Sequence, residues 1–358
     1  MTDPRSQHPF WMREEIHEQP DAVAAALTDQ AEGIARMAAA LRAARPRRLF
    51  LVGTGTSFHA AQCAAWFARL EHVPLTTMAV PAHDFVTYPI ALTSDDAVVV
   101  ISHRGTKHYT GKALELARAA KVVTGLVTGQ GPHEAPAGVV VLRTCHQDRS
   151  SAHTVSYTSA LAVLMLLLAD YADCSDDERL RRVILDLPTQ LAAALQTEAV
   201  VRELAERYAG RQRVYFVGGG PHAVTASEAA LKVKETSYIV SEGFAVEQML
   251  HGPMQAVEAS DLVVAVAPSG PSTQRIGDLL NAANEIGAAR IAVMSGGESL
   301  NADASIQIPP TRESLSPLTS VVALQLFAYW AAVTRGKNPD CFRLDEPRYK
   351  RASGRFAL

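Results

Sequence analysis

The sequence has 358 residues, of which 48% are hydrophobic and 20% are charged, and its formal net charge is −3. This length suits two domains or one large one, and the apolar content excludes a wholly disordered chain. The near-neutral charge argues against nucleic-acid binding through bulk electrostatics. The longest apolar run, Ala160–Ala169, is about half of the roughly 20 residues that span a bilayer, and the polar amino terminus lacks a signal core. We therefore expect a cytoplasmic protein with neither a nucleic-acid nor a membrane partner.

Short apolar runs alternate with longer helical stretches, which indicates doubly wound parallel sheets. Helices are predicted at Pro20–Ala44, where the proline suits a first turn, and at Thr158–Tyr171, Glu178–Tyr208 and Leu318–Thr334. The segment after 334 shows no helical or strand period. The predicted strands are the near-continuous apolar runs Arg48–Val52, Thr76–Val80, Ala97–Ile101, Val122–Val127, Val139–Leu142, Val214–Val217, Leu262–Ala267, Arg290–Met294 and Ser305–Ile308.

An internal repeat relates the two halves of the chain. The segments LFLVGTGTSFHA and VYFVGGGPHAVT each contain an apolar strand, a glycine-rich turn and the start of a helix. Gly53 and Gly218 in these turns are 165 residues apart (218 − 53), as are Gly105 and Gly270 (270 − 105) in a second pair of turns. Because one offset holds for two strand–turn–helix units, the chain is predicted to contain two copies of one α/β domain.

The repeat and the connecting helices divide the chain into four predicted parts. Residues 1–45 form an amino-terminal helical segment, and 46–175 form the first α/β domain. Residues 176–334 hold a connecting helix and the second domain, and 335–358 form a polar tail. Open parallel sheets bind ligands at the carboxyl ends of their strands, so the turns at those ends are the candidates for function.

The first candidate is the glycine-rich turn that follows the first predicted strand and opens a helix. Its backbone N–H groups near Gly55, the helix dipole and the hydroxyls of Thr56 and Ser57 predict an anion site. A tight turn that needs glycine only for its backbone geometry is the alternative, and it suits Gly218–Gly220 better. A dinucleotide site is disfavoured, because neither copy supplies the acidic residue that would bind a ribose.

The second candidate is a polar loop that follows another buried strand and contains Ser102, His103, Arg104, Thr106 and Lys107. Arg104 offers two parallel N–H donors for a tetrahedral anion, and the hydroxyls and Lys107 add further donors. The alternative is a solvated turn with two cations. Because this loop and the first turn share the carboxyl edge of one predicted sheet, anion binding is favoured.

The third candidate is a helix face with three charged residues. Glu228, Lys232 and Glu235 follow spacings of four and three, which bring them together on a helix. A carboxylate beside a lysine is a candidate for proton transfer, although an exposed, ion-paired face explains the same spacing. His251 follows at a break marked by Gly-Pro, and an isolated histidine is most often structural.

These motifs together resemble the isomerase half of the glucosamine-6-phosphate synthase family. The segment Glu228–Pro253 is similar to that family's E-G-A-L-K-x-K-E pattern and its later H-G-P. The first turn resembles the family's G-T-S-(Y/F)-x-A, Met12–Pro20 resembles the start of the isomerase half, and Asp345–Arg348 resembles its D-x-P-R tail motif. The resemblance covers nearly the whole chain. It implies two SIS (sugar isomerase) domains in tandem, each a flavodoxin-like three-layer α/β/α fold.

The resemblance also implies roles for the candidate residues. Glu235 would move a proton between C1 and C2 of a sugar, and His251 would open the sugar ring, reaching in from a second subunit. Glu228 and Lys232 would orient the site and neutralise an enediolate-like intermediate. The anionic group of the sugar would bind at the first turn and the polar loop, with a contribution from the tail. No metal or organic cofactor is implied, and the shared site implies a homodimer.

The chain departs from the family pattern in four ways. It shows no glutaminase half, so glutamine is not expected as a source of ammonia. Ser102–Lys107 replaces the family's phosphate loop S-Q-S-G-E-T, and a segment that begins at His153 replaces its S-T-K. The tail lysine that binds the open-chain ketose aligns with Ala352, and Lys350 lies two residues out of register. His153 and Lys350 remain candidate substrate-binding residues.

Three functions are open from the sequence. The leading one is an aldose–ketose isomerase for an anionic hexose, either a sugar phosphate or a sulfonated analogue. The second is an amino-sugar-phosphate deaminase or a fructosamine-type deglycase, and the third is a non-catalytic regulator that binds a sugar phosphate. Retention of Glu235 and His251 favours an enzyme, since binding alone does not need them. Arg104 predicts a substrate whose anionic end differs from that of fructose 6-phosphate.

Overall fold

The structure is a computed structural model that describes residues 4–105, 108–131, 136–172, 178–297 and 299–355. It contains two compact units, each built around one parallel sheet. The N-unit comprises Glu18–Asp148, Val155–Pro188 and Arg351–Leu358. The C-unit comprises Met1–His17, Arg149–Thr154 and Thr189–Lys350.

Helices and strands alternate along most of the chain. In chain order the elements are α1 (Trp11–Asp29), α2 (Ala31–Ala44), β1 (Arg48–Gly53), α3 (Thr56–Leu70), β2 (Thr76–Pro81), α4 (Ala82–Thr87), β3 (Asp96–Ile101), α5 (His108–Ala119), β4 (Val123–Thr128), β5 (Val139–Arg143), α6 (Val155–Tyr171), α7 (Glu178–Leu185), α8 (Leu187–Leu195), α9 (Glu198–Tyr208), β6 (Arg213–Gly218), α10 (Pro221–Ser237), β7 (Val240–Ala245), α11 (Val246–Leu250), a 3-10 turn (Pro253–Ala256), β8 (Leu262–Val266), α12 (Thr273–Ile286), β9 (Ala289–Ser295), β10 (Ala304–Ile308), α13 (Ser316–Thr334) and α14 (Pro347–Ser353).

Each sheet has five parallel strands in the same order. The N-unit order is β2-β1-β3-β4-β5, and the corresponding strands of the C-unit are ordered β7-β6-β8-β9-β10. In this doubly wound order the chain switches from one side of the first strand to the other. The predicted fold class, two doubly wound parallel sheets in tandem, is confirmed. The switch point of each sheet lies where its first and third strands end side by side.

The repeat extends to an ion pair at the amino end of each sheet. Arg48 Nε lies 2.6 Å from Asp96 Oδ1, and Arg213 Nε lies 2.9 Å from Asp261 Oδ1. Both residues of the second pair follow their counterparts by the repeat offset (213 − 48 and 261 − 96 are both 165). Hydrogen bonds from Arg48 lower the pKa of Asp96. The contribution of Asp96 to stability is therefore fully present above its unfolded pKa, near 3.8, and is lost as the pH falls below that value.

One strand lacks the apolar run by which the others are predicted. β7 is an edge strand, in which Val240 and Glu242 are exposed and Ser241 is buried. A strand that is paired on one side and partly exposed needs no continuous apolar sequence. Every strand predicted from an apolar run is present, with its ends displaced by at most one residue.

Three helix predictions are wrong. The single helix predicted at Pro20–Ala44 is two helices, α1 and α2. The first begins at Trp11 and contains the proline, because Met12, Ile16 and Val23 continue one buried face through it. The single helix predicted at 178–208 is divided into α7, α8 and α9. The tail, predicted to lack helical structure, forms α14, which has no buried residue and therefore gives no apolar period.

α13 is apolar on all sides. By length and composition it could cross a membrane, and 89% of its apolar window is buried inside the structure. Serine, threonine and glutamine residues interrupt its sequence, so α13 contains no continuous apolar run of the kind used in the sequence analysis, and that criterion did not single it out. Because α13 is buried on all sides, it needs no polar face. The core helix of a soluble protein meets the same criteria of length and apolar composition.

Candidate active site

α10 brings together the three charged residues that helical spacing places on one face. Lys232 Nζ lies 2.6 Å from Glu235 Oε2 and 3.4 Å from Glu228 Oε1. The side chains of Lys232 and Glu228 are 1% and 0% exposed, whereas that of Glu235 is 21% exposed. An exposed, ion-paired face does not describe this cluster, because two of its three charges are out of water. Within it, Glu235 is the carboxylate that a small molecule can reach.

Burial and charge act in opposite directions on Lys232. Burial alone would lower its pKa, but the negative charges of Glu228 and Glu235 outweigh that effect and raise the pKa above its ordinary value of 10.5. Lys232 is therefore an ammonium ion at neutral pH. A buried cation at 2.6 Å holds the Glu235 carboxylate in one orientation and favours negative charge beside it.

His251 lies directly after α11, in the same unit as the charged cluster. Its side chain is 76% exposed, and its Nε2 lies 3.2 Å from Glu247 Oε2. Arg275 also pairs with Glu247, with 2.5 Å between Nε and Oε1, and lowers the pKa of that carboxyl group. His251 is thus an exposed imidazole beside a carboxylate, unlike a buried structural histidine. Its exposure leaves it accessible to a molecule outside this chain.

The first glycine-rich turn lies at the switch point of the N-unit sheet. β1 ends at Gly53, Gly55 has a φ of 57°, and α3 begins at Thr56. Thr56 and Ser57 are partly exposed in the first turn of α3. A Cβ atom on Gly53 would lie 2.6 Å from the Ser57 carbonyl oxygen, so this glycine also permits the close approach of strand and helix. A helix start with accessible hydroxyls at a switch point suits an anionic ligand.

The polar loop after β3 lies at the same edge, because β1 and β3 are paired. Ser102 is buried and accepts a hydrogen bond from Thr110 Oγ1 at 3.1 Å. His103 Nε2 accepts the backbone N–H of Asp148 at 3.2 Å, so this imidazole anchors the loop. Arg104 is partly exposed. The loop therefore carries a partly exposed arginine at the sheet edge where α3 begins, and a histidine holds its backbone in place.

The other predicted substrate-binding residues are placed differently. Thr106 and Lys107 lie outside the described residues. His153 belongs to the C-unit, whereas the turn and the loop belong to the N-unit. Lys350 is exposed on α14, and its backbone N–H donates to the carbonyl oxygen of Glu346 at 3.1 Å. The turn and the polar loop thus belong to the N-unit, whereas the charged cluster of α10 and His251 belong to the C-unit.

The corresponding turn of the C-unit has different chemistry. His222 follows Ser57 by the repeat offset (222 − 57 = 165), and burial lowers its pKa to about 3, so it is neutral. Its Nε2 lies 3.1 Å from Ser316 Oγ. Glu313 lies against Gly270, and burial raises the pKa of its carboxyl group. Neither a neutral imidazole nor a carboxyl group favours an anion. Of the two glycine-rich turns, the one in the N-unit is therefore the candidate for anion binding. Aligning the two copies by the 165-residue offset would have shown from the sequence that histidine stands in the second turn where serine stands in the first.

Comparison with known proteins identifies the repeated fold. The model of the SIS domain family matches residues 43–169 and 208–335. The chain belongs to the SIS domain family. The resemblance read from the sequence motifs, two SIS domains in tandem, is therefore confirmed.

Curated SIS relatives are longer than this chain. The glutamine–fructose-6-phosphate aminotransferase (isomerizing) of Thermococcus kodakarensis is 32% identical over 350 residues, which cover 94% of this chain and 57% of the relative. The protein of the same name from Methanothermobacter thermautotrophicus is 32% identical over 338 residues, covering 92% and 55%. The SIS chain thus spans little more than half the length of these relatives.

Solved structures show the same fold. The C-terminal domain of glucosamine-fructose-6-phosphate aminotransferase from Francisella tularensis matches with a TM-score of 0.82 and 21% identity, covering 92% of this chain and 97% of that one. The tagatose-6-phosphate ketose/aldose isomerase from Escherichia coli matches with a TM-score of 0.80 and 24% identity, covering 94% and 97%. At these identities the likeness establishes the SIS fold alone.

Proposed function

We propose that this protein is an enzyme that interconverts the aldose and ketose forms of an anionic hexose, either a sugar phosphate or a sulfonated analogue. The observation that carries the proposal is the partly exposed Glu235 carboxylate held by the buried Lys232 ammonium. The names of the relatives support it, since one is an isomerizing aminotransferase and a structural neighbour is a ketose/aldose isomerase.

In the proposed reaction, Glu235 acts as the base on the open-chain sugar. It takes the proton from C2 of the aldose; the electrons of that C–H bond form the C1–C2 double bond of an enediolate, and the C1 carbonyl electrons move to O1. Return of a proton to C1, together with transfer of the O2 hydroxyl proton to O1, gives the ketose, with the carbonyl group now at C2. Glu228 holds the Lys232 ammonium, which in turn orients Glu235 and offsets the negative charge that develops. His251 moves the proton that opens the ring. Side chains alone can carry out such proton transfers.

The substrate's anionic group is proposed to bind at the switch point of the N-unit, through Thr56, Ser57, Ser102 and Arg104. Replacing Arg104 by serine restores a small hydroxyl donor and removes the guanidinium fork. We expect kcat/KM for the anionic substrate to fall by an amount equivalent to about 2–4 kcal/mol. Steady-state kinetics on the anionic sugar and on its neutral parent sugar measure the effect.

Arg36, which is exposed on α2, provides the matched control for that substitution. Arg36→Ser should leave kcat/KM unchanged. A loss smaller than about 0.5 kcal/mol in Arg104→Ser, or equal losses for the anionic and the neutral sugar, would show that the guanidinium does not bind the anion.

A homodimer in which His251 serves the partner subunit is also part of the proposal, because His251 is 76% exposed. Mixing inactive Glu235→Gln chains with inactive His251→Ala chains should then restore activity, since some hybrid dimers contain one site with both functional residues. Activity is measured after the chains are unfolded and refolded together, against each variant refolded alone. A fully active monomer in light scattering would contradict the shared site.

A further inference from the structure

Residues after α13 contact the end of α10 at several points: Arg335 Nε donates to the Ser237 carbonyl oxygen at 3.1 Å, Lys337 Nζ lies 5.7 Å from the Tyr238 ring centroid, and Arg343 stacks on the same ring. The Cζ atom of Arg343 lies 4.4 Å from the ring centroid of Tyr238 and 3.9 Å from that of Tyr349. A guanidinium nitrogen of Arg343 also lies 2.8 Å from Glu346 Oε1. We name this group of four residues the Arg343 clamp: Tyr238, Arg343, Glu346 and Tyr349. All of them belong to the C-unit.

The backbone around the clamp is strained. Phe342 and Arg343 have φ values of 49° and 57°, and Tyr238 has a φ of 61°. Residues with a Cβ atom adopt this region at an energetic cost, and they keep it where surrounding contacts fix them, often at functional sites. Two such residues in succession, with the second stacked between two rings, indicate that the clamp contacts determine the path of the tail.

The clamp also accounts for the tail motif Asp345–Arg348. Asp345 Oδ1 lies 3.4 Å from Cys341 Sγ, which donates the hydrogen bond. Glu346 pairs with Arg343 and, at 3.2 Å, with Arg348. The proline of the motif is the first residue of α14. The motif therefore closes the turn that precedes α14 and presents Glu346 to Arg343.

We infer that Arg343 is a positioning residue for the active site, an inference that rests on the proposed function. Tyr238 follows Glu235 by three residues at the end of α10, and Tyr349 immediately precedes Lys350 on α14. Because one guanidinium stacks on both rings, Arg343 fixes the end of the helix that carries the proposed base relative to the helix that carries Lys350. Arg343 acts through these neighbours and does not touch the substrate.

The test compares Arg343→Ala, Arg343→Lys and the control Arg207→Ala, which removes an exposed arginine that is paired with Glu203 at 2.6 Å. Hydrogen exchange of residues 338–353, followed by mass spectrometry, reports whether α14 is held. Steady-state kinetics on the active sugar report kcat and KM separately. We expect Arg343→Ala to speed amide exchange in α14 at least about tenfold and to lower kcat/KM about 10–100-fold, since small misplacements near reacting groups are costly.

Arg343→Lys should give intermediate values, because an ammonium group stacks on a ring but lacks the planar fork. Arg207→Ala should match the wild type. Faster exchange with unchanged kinetics would overturn the positioning role, and unchanged exchange in Arg343→Ala would overturn the clamp itself. A wild-type chain that converts no sugar would overturn the proposed function. In that case, amide hydrogen exchange measured without sugar still tests whether Arg343 holds α14.

Discussion

Replacing Glu235 by glutamine is expected to reduce proton exchange at C1 and C2 of the substrate by about 10²–10⁴-fold. Glutamine keeps the size and hydrogen-bonding capacity of glutamate but cannot accept a proton from carbon. Substrate affinity should change only slightly, because the buried Lys232–Glu228 pair beneath it stays in place. The rate of deuterium incorporation from D2O, followed by NMR, measures the chemical step, and equilibrium binding of the sugar is measured separately.

Glu242→Gln is the matched control, because Glu242 is exposed on β7 and lies outside the charged cluster. It should leave exchange and binding unchanged. A loss below about tenfold in Glu235→Gln would remove Glu235 from the role of the base.

Replacing Lys232 by methionine is expected to lower the free energy of unfolding by about 3–5 kcal/mol, because it leaves the buried Glu228 carboxylate without its cation. The double variant Glu228→Gln/Lys232→Met should recover part of this loss, since it removes the unpaired charge as well. Urea unfolding of both single variants and the double variant gives the coupling energy. If the losses in the two single variants sum to the loss in the double variant within about 0.5 kcal/mol, the two residues do not interact, which would contradict the buried pair.

The same pair predicts a pH dependence. The pKa of Lys232 is raised above 10.5, so its contribution to stability is fully present below its unfolded pKa and is lost as the pH rises through the higher folded value. The stability of the wild type should therefore fall more steeply above about pH 10.5 than that of Lys232→Met. Lys234→Met is the control, because Lys234 is exposed and lies two residues along α10. Its free energy of unfolding should show the same pH dependence as that of the wild type.

Much of the fold could be predicted because buried parallel strands leave a local signal. β3 is buried at every residue and is nearly all apolar, so the apolar run alone indicated it. β7 and α14 are exposed edge or surface elements, and no run of apolar residues indicates them. Pro20 was misleading in the opposite way, because the packing of α1 outweighs the local preference of proline for a first turn.

The candidate site was predictable only in part, for a similar reason. Helical spacing predicts that Glu228, Lys232 and Glu235 meet, since i+3 and i+4 positions share a face. It cannot predict that two of them are buried, because that burial depends on the packing of α10 against β7 and α13. The stacking of Arg343 on Tyr238 joins residues far apart in the sequence, so no local pattern could indicate it.

The central claim is proton transfer between C1 and C2 of an anionic hexose, and deuterium exchange in D2O tests it most directly. The wild-type chain is incubated with the 6-phosphates of glucose, fructose and glucosamine and with a 6-sulfonated hexose, while NMR follows C1 and C2 and ammonia is assayed in the same samples. We predict deuterium incorporation together with aldose–ketose conversion of at least one sugar, without release of ammonia. Ammonia release from the amino sugar, or binding of these sugars with no exchange at C1 or C2, would contradict the isomerase account.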